Sequence, residues 1–147
     1  MLVDRRSFGG AEGFGGFSLP AGDYRIQVTA AETVRFLNLY LATGIADLGV
    51  YADGDPIPDV AVPTMEAGES HTVRLTFSEP VDVSGSLVAM DESNLDLYIW
   101  NNDLVGESTE SGDEHFFVGH RLQGTYWVRT YAWTDTAGGT LALSTSP

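Results

Sequence analysis

The feature that most limits the fold of this chain is a two-residue hydrophobic alternation, repeated in short runs between turn-forming clusters. Val73, Leu75 and Phe77 alternate with Thr72, Arg74 and Thr76, and Leu95, Leu97 and Ile99 alternate with Asp96, Tyr98 and Trp100. Tyr24, Ile26, Val28 and Ala30 alternate in the same way with Arg25, Gln27 and Thr29. Successive side chains of a strand point to opposite faces, so each run predicts a strand with one buried face. Residues 33–41 are more apolar and have the length of a helix as well as of a strand; Thr33, Val34 and Phe36, with Thr43-Gly44 behind them, favour strand. Residues 116–118, 125–133 and 140–144 supply further strand segments. Asp53-Gly54-Asp55-Pro56, Glu66-Ala67-Gly68-Glu69, Glu110-Ser111-Gly112-Asp113 and Ala137-Gly138-Gly139 have the composition of turns. About eight to ten short strands with no amphipathic helix predict an all-β fold, an antiparallel β-sandwich or jelly roll. That domain is expected over residues 19–147, behind an extended amino-terminal arm at residues 1–18.

The arm stands apart by composition. Residues 7–17 read SFGGAEGFGGF, with five glycines and three phenylalanines. Glycine loses the most backbone freedom on ordering, so such a segment orders only when something holds it. Phe8, Phe14 and Phe17 are therefore expected to dock, on this subunit or on a neighbouring one, with the neighbour favoured. Residues 1–6 are followed by Ser7-Phe8-Gly9-Gly10 and not by the apolar core of a secretory signal. The expectation is a chain that starts at its own methionine and carries no export signal.

Length and charge exclude several classes. The 147 residues suit one domain, and 43% hydrophobic with 11% aromatic residues is enough for a packed core. No apolar run approaches the ~20 residues of a membrane-spanning helix, so no membrane insertion is expected. Cysteine is absent, which removes disulfides and thiolate metal sites. The seven basic residues are all arginine and face twenty-one acids, a formal charge of −14. Nothing in that balance can neutralise a phosphate backbone, so nucleic acid is not an expected partner. The self-repulsion of such a domain falls when salt screens it. The lysine-free, acid-rich composition resembles that of proteins from salt-accumulating halophiles; the alternative is an extracellular surface neutralised by calcium.

The chemistry-bearing residues do not form a catalytic pattern. His115 and His120 are five apart and so point to opposite faces of a strand, and His71 is remote from both in sequence. No HExxH, GxSxG or phosphate-binding glycine loop is present, and the chain is not expected to be an enzyme. Calcium is the cofactor to consider. Asp91, Glu92, Asn94 and Asp96 offer hard oxygen ligands within six residues, and Asp113 and Glu114, with Glu110, are expected to converge on them across the sheet. Asp53, Asp55 and Asp59 form a second cluster. The competing reading of these residues is solvated turn acids on an acidic protein.

At residues 67–144 the chain resembles a known family. Asn94-Leu95-Asp96-Leu97-Tyr98-Ile99-Trp100, then Gly106-Glu107-Ser108, Asp113-Glu114 and Gly124-Thr125-Tyr126-Trp127-Val128-Arg129 are similar to the bacterial pre-peptidase C-terminal domain, whose strands read DLDLYLY and GTYYVRV in this order. The resemblance implies a β-sandwich module of an exported protein, of a kind in which some relatives bind calcium, collagen-like or polysaccharide ligands.

The aromatic residues sort by face. Trp127, Arg129, Tyr131 and Trp133 share one side of their strand, opposite Tyr126, Val128, Thr130 and Ala132; Tyr98 and Trp100 oppose Leu95, Leu97 and Ile99. Should the aliphatic side form the core, Tyr98, Trp100, Trp127, Tyr131 and Trp133 face outward as an interaction surface, either covered by the arm or stacked on a glycan; the alternative places the large rings inside. Two function classes follow. The first is a structural assembly protein, a building block joined to itself or to other structural proteins through its arm, as a virion component (capsid decoration, turret or tail) of a halophile's virus. The second is a binding module of an exported protein, extracellular or at the cell surface, attached to polysaccharide or matrix.

Overall fold

The computed structural model describes residues 45–101, 104–109 and 112–146, with Ala21, Tyr24 and Gln27; of residues 116–120 it describes the backbone. Seven strands lie in this region: β1 (Ala46–Tyr51), β2 (Val60–Val62), β3 (Ser70–Ala89), β4 (Leu95–Trp100), β5 (Leu104–Ser108), β6 (Glu114–Ala132) and β7 (Gly139–Ser146). No helix occurs among the described residues, so none there is long and apolar enough to cross a membrane. The arm expected at residues 1–18, with Phe8, Phe14 and Phe17, lies outside the described residues, as do the strand expected around Ile26 and Val28 and the run 33–41.

Two long strands organise the fold. β3 has 20 residues and β6 has 19, and they pair antiparallel over two stretches, 70–77 with 124–131 and 83–87 with 114–118. Between these stretches the register slips twice, at Phe77↔Gly124 to Val81↔Leu122 and at Val81↔Leu122 to Val83↔Val118. β3 carries two extra residues in the first step and β6 two in the second. Side chains alternate with period two, so an even insertion bends the ribbon without exchanging its faces. Val73, Leu75 and Phe77 before the bend and Val81, Val83 and Leu87 after it are accordingly all buried. Pro80, with no N–H to give to a ladder, sits at the bend, where such a residue is tolerated. Carbonyls there find side-chain donors instead: Arg121 donates to the Pro80 oxygen at 2.9 Å and Gln123 to that of Ser78 at 3.2 Å.

The bend also changes β3's neighbours. β6 holds one edge throughout. On the other edge β1 pairs with residues 73–77 and β7 with residues 82–89. β4 and β5 extend the sheet beyond β6, and β2 extends it beyond β7, giving the order β2-β7-β3-β6-β4-β5. A strand that switches partners at a bulged corner lets one hydrogen-bonded sheet close into two layers. Leu75, Leu97, Ile99 and Val128 from one side of the bend share a single core with Val83, Leu87, Leu141 and Leu143 from the other. The protein is an all-β sandwich, as its alternation predicts.

One pairing departs from the antiparallel expectation. β1 runs parallel to β3, because the chain leaves Tyr51, crosses to β2 at the far edge, and returns to β3 in its original direction. The end of β1 is fastened at the bend: Ser78 donates to the Tyr51 carbonyl at 3.2 Å, the Asp53 N–H to Glu79 at 3.0 Å, and the Gly54 N–H to Thr145 at 3.1 Å.

Candidate functional site

The inward faces of β4 and β6 are settled by burial. Leu95, Leu97, Ile99, Tyr126, Val128, Thr130 and Ala132 are buried, so the alternating residues point outward: Asp96, Tyr98 and Trp100 on β4, and Trp127, Arg129 and Tyr131 on β6. Tyr98 lies opposite Arg129, Trp100 opposite Trp127, and Asp96 opposite Tyr131. On the other flank of β6, Ser70, Thr72 and Arg74 of β3 face Tyr131, Arg129 and Trp127. Glu107 of β5 lies opposite Tyr98, and Asp47 of β1 opposite Arg74. Tyr98, Trp100, Trp127 and Tyr131 are half-buried, and Trp133, just past the end of β6, is 56% exposed. The large rings thus form a row across the outside of the sheet.

These rings are not independent. The Arg129 guanidinium sits 5.3 Å from the centre of the Tyr98 ring and 5.0 Å from that of Tyr131, and its Nε donates to Ser70 at 2.9 Å. Tyr131 meets Trp133 edge to face, with centroids 5.1 Å apart at 85°. The Trp133 indole N–H donates to Oδ2 of Asp96, and the same oxygen accepts from the Tyr98 hydroxyl at 2.7 Å. Tyr98, Arg129, Tyr131, Trp133 and Asp96 therefore close a circuit. Asp96 is only 1% exposed although it points out of the sheet. A carboxylate removed from water needs strong donors in exchange, and an indole N–H and a phenol on one oxygen supply them. Burial, then the Asp96 carboxylate, pushes the Tyr98 phenol well above its ordinary value, so it remains a donor.

Charge is placed unevenly. Residues 1–44 contain four acids and four arginines, so the whole formal charge of −14 belongs to residues 45–147, with seventeen acids and three arginines. The described strand positions of the aromatic face hold three of those acids (Asp47, Asp96, Glu107) and two of those arginines (Arg74, Arg129), with Arg74 paired to Asp47. Arg121, the third arginine, is at the bend. Two of the three arginines of residues 45–147 thus lie on the aromatic face, partly offsetting its three acids, while most of the other acids lie in turns and at the bend.

The acids that the sequence offers as calcium ligands take up separate places. Asp91 accepts the Ser93 N–H at 3.1 Å and the Ala137 N–H at 2.8 Å, tying the β3–β4 turn to the segment before β7. Asn94 receives the Trp133 N–H on its carbonyl at 3.0 Å and gives its own N–H to Thr134 at 3.0 Å. Asp96 is in the aromatic circuit. Glu92 and Asp113 are exposed, and Glu114 is fully buried opposite Leu87, accepting from Ser108. Glu110 lies outside the described residues. Among the described residues no three His, Asp or Glu side chains gather in a group able to hold a metal ion. A shallow groove beside residues 64–69 is lined by Glu66, Glu69, Asp91 and Asp135. Three of these carboxylates are occupied by backbone: Glu69 accepts the Glu66 N–H, Asp135 the Ala67 N–H and Asp91 the Ala137 N–H, at 2.8, 2.9 and 2.8 Å. Residue order does not by itself reveal the hub role of Asp96. Its trace there is the Asp96–Tyr98 spacing, since residues two apart on a strand share a face.

Two groups near these turns set an acid limb to stability. The Ser93 side chain first, and the Ala137 N–H next, hold the Asp91 carboxyl below its usual 3.8. Its ionised form stabilises the fold above that usual value, and the contribution is lost as pH falls through the lowered one. Burial lowers His71 below its usual 6.5. The unfolded chain then takes up that proton first, so stability also falls as pH drops below 6.5. Both signs agree. Replacing His71 with Gln is expected to flatten urea midpoints between about pH 6.5 and 5 relative to the parent protein, leaving the steeper loss below about pH 4. An unaltered slope between pH 6.5 and 5 would locate the effect elsewhere.

Comparison with known proteins matches no family model and no curated protein to this chain.

Proposed function

We propose that this protein is a non-catalytic structural building block, a β-sandwich that joins its neighbours at the outward aromatic face. The observation that carries the reading is a row of large rings on the face that also holds two of the three arginines of residues 45–147. Two bodies that each carry fourteen net negative charges repel. They approach most readily where arginines offset that charge, and aromatic area is the surface whose burial favours association most. The occupant is the phenylalanine-bearing arm of a neighbouring copy, through Phe8, Phe14 and Phe17. The acidic, lysine-free composition supports a high-salt setting, and we place the protein as a virion component (capsid decoration, turret or tail) of a halophile's virus.

A second reading rests on Trp133. An exposed indole beside Tyr131 is suited to stacking on a sugar ring, which fits a module resembling the pre-peptidase C-terminal domain, attached to polysaccharide or matrix outside the cell with calcium as its ion. Light scattering of the full chain in molar salt separates the two. A discrete multimer supports assembly, and Trp133→Ala or the triple change Phe8→Ser/Phe14→Ser/Phe17→Ser should weaken it roughly 30-fold, the effect of one hot-spot residue of about 2 kcal/mol. A monomer at every concentration, with retention on a polysaccharide column, would replace this reading with the second.

A further inference from the structure

We infer that Asp96 is the positioning residue of the aromatic face: its buried carboxylate holds the Trp133 indole beside Tyr131, making the exposed indole a rigid platform for a phenylalanine ring from a neighbouring copy's arm. The identity of the occupant rests on the assembly reading above; the rigidity of the indole does not.

Trp133 follows the last residue of β6, where no strand ladder extends to hold its side chain. Its backbone N–H is bonded to the Asn94 carbonyl at 3.0 Å, which places the Cα but leaves two side-chain torsions to be set. A ring that is 56% exposed would ordinarily turn among rotamers and lose that freedom on docking. Here its N–H is committed to Asp96 and one of its faces meets the edge of Tyr131, or its edge the face, at 85°. Asp96 sits on an outward strand position, where a carboxylate could keep its hydration, yet it is 1% exposed and gives one oxygen to two donors, one on β4 and one just beyond β6. Among the described residues its other oxygen has no hydrogen-bond partner. A buried charge with half its acceptor capacity unused is a costly way to stabilise a sheet. The return is orientation: Tyr98 on β4 and Trp133 beyond β6 meet at one atom, and a docking ring finds its platform already set. The edge-to-face packing of Tyr131 with Trp133 suits a further aromatic ring, and the arm offers three in Phe8, Phe14 and Phe17.

The test uses the full chain in molar salt, labelled with 5-fluorotryptophan, with the Trp133 ¹⁹F resonance assigned by Trp133→Phe. Asp96→Ala is expected to move and broaden that resonance while those of Trp100 and Trp127 hold, and to weaken association about tenfold through lost pre-organisation. Asp96→Asn, which keeps one acceptor, should fall between. Trp133→Ala should weaken association at least as much, and Asp96→Ala/Trp133→Ala no more than Trp133→Ala alone, because the first residue acts through the second. An unmoved Trp133 resonance, or losses that add, would overturn the inference. Should Asp96→Ala fail to fold by circular dichroism, Asp96→Asn and Tyr98→Phe decide by the same readouts. A parent chain that never associates would sink the assembly reading, while the fluorine spectra would still decide whether Asp96 positions the indole.

Discussion

Gly139→Ala is expected to cost the domain about 3 kcal/mol, the upper range for overpacking a close contact, and to lower Tm by about 10 °C. Gly139 opens β7 and lies between Val62 of β2 and Ala89 of β3. A Cβ there would stand 2.5 Å from the Val88 carbonyl oxygen and 3.3 Å from the Ala89 Cα. Both are backbone atoms, so no rotamer change relieves the clash. The strand itself must move, and it carries Leu141 and Leu143 into the core. Gly138, just before it, has φ of 102°, with its N–H bonded to Thr136 at 3.0 Å and its carbonyl to the Met90 N–H at 2.9 Å. Gly112→Ala is the control. Its φ is 120° but open space surrounds it, so it should cost only about 1 kcal/mol of backbone strain. Urea unfolding followed by circular dichroism checks the pair. Equal shifts in midpoint would mean that the approach of β7 to β3 is looser than the geometry says.

Raising monovalent salt from 0.1 M to above 1 M is expected to raise Tm by on the order of 10 °C, because the screening length contracts from ~10 Å to ~3 Å. Residues 45–147 hold seventeen acids and three arginines, and two of those arginines lie on the aromatic face. The remaining surface has almost no internal counter-charge, so folding brings like charges together and salt relieves the repulsion. The Arg74–Asp47 pair is weakened by the same screening, but one exposed pair is a small opposing effect. Calcium at matched ionic strength gives a further comparison. A gain that follows ionic strength is screening, whereas one that saturates at millimolar calcium with ionic strength held constant points to a bound ion. A Tm that stays flat or falls with salt would contradict the repulsion argument.

Much of this protein can be read from residue order. The alternation at Val73-Leu75-Phe77 and at Leu95-Leu97-Ile99 specifies strands and their buried sides, because a strand has a period of two and water penalises the exposed apolar set. The same parity places Tyr98, Trp100, Trp127 and Tyr131 outside. Charge and composition are properties of the chain alone, as are the glycines whose φ of 72°, 92° and 102° at positions 54, 68 and 138 makes the turns. What the local pattern does not contain is the path between strands. That β3 and β6 are each one long strand bent at Pro80, that β1 lies parallel to β3, and that Asp96 serves the Trp133 indole instead of gathering with Asp91 and Glu114 depend on contacts between residues tens of positions apart. Asp96 and Trp133 are separated by 37 positions. Periodicity reports on which side of a strand a residue lies; its partner is set by the register of one strand against another, and that is decided when the core closes.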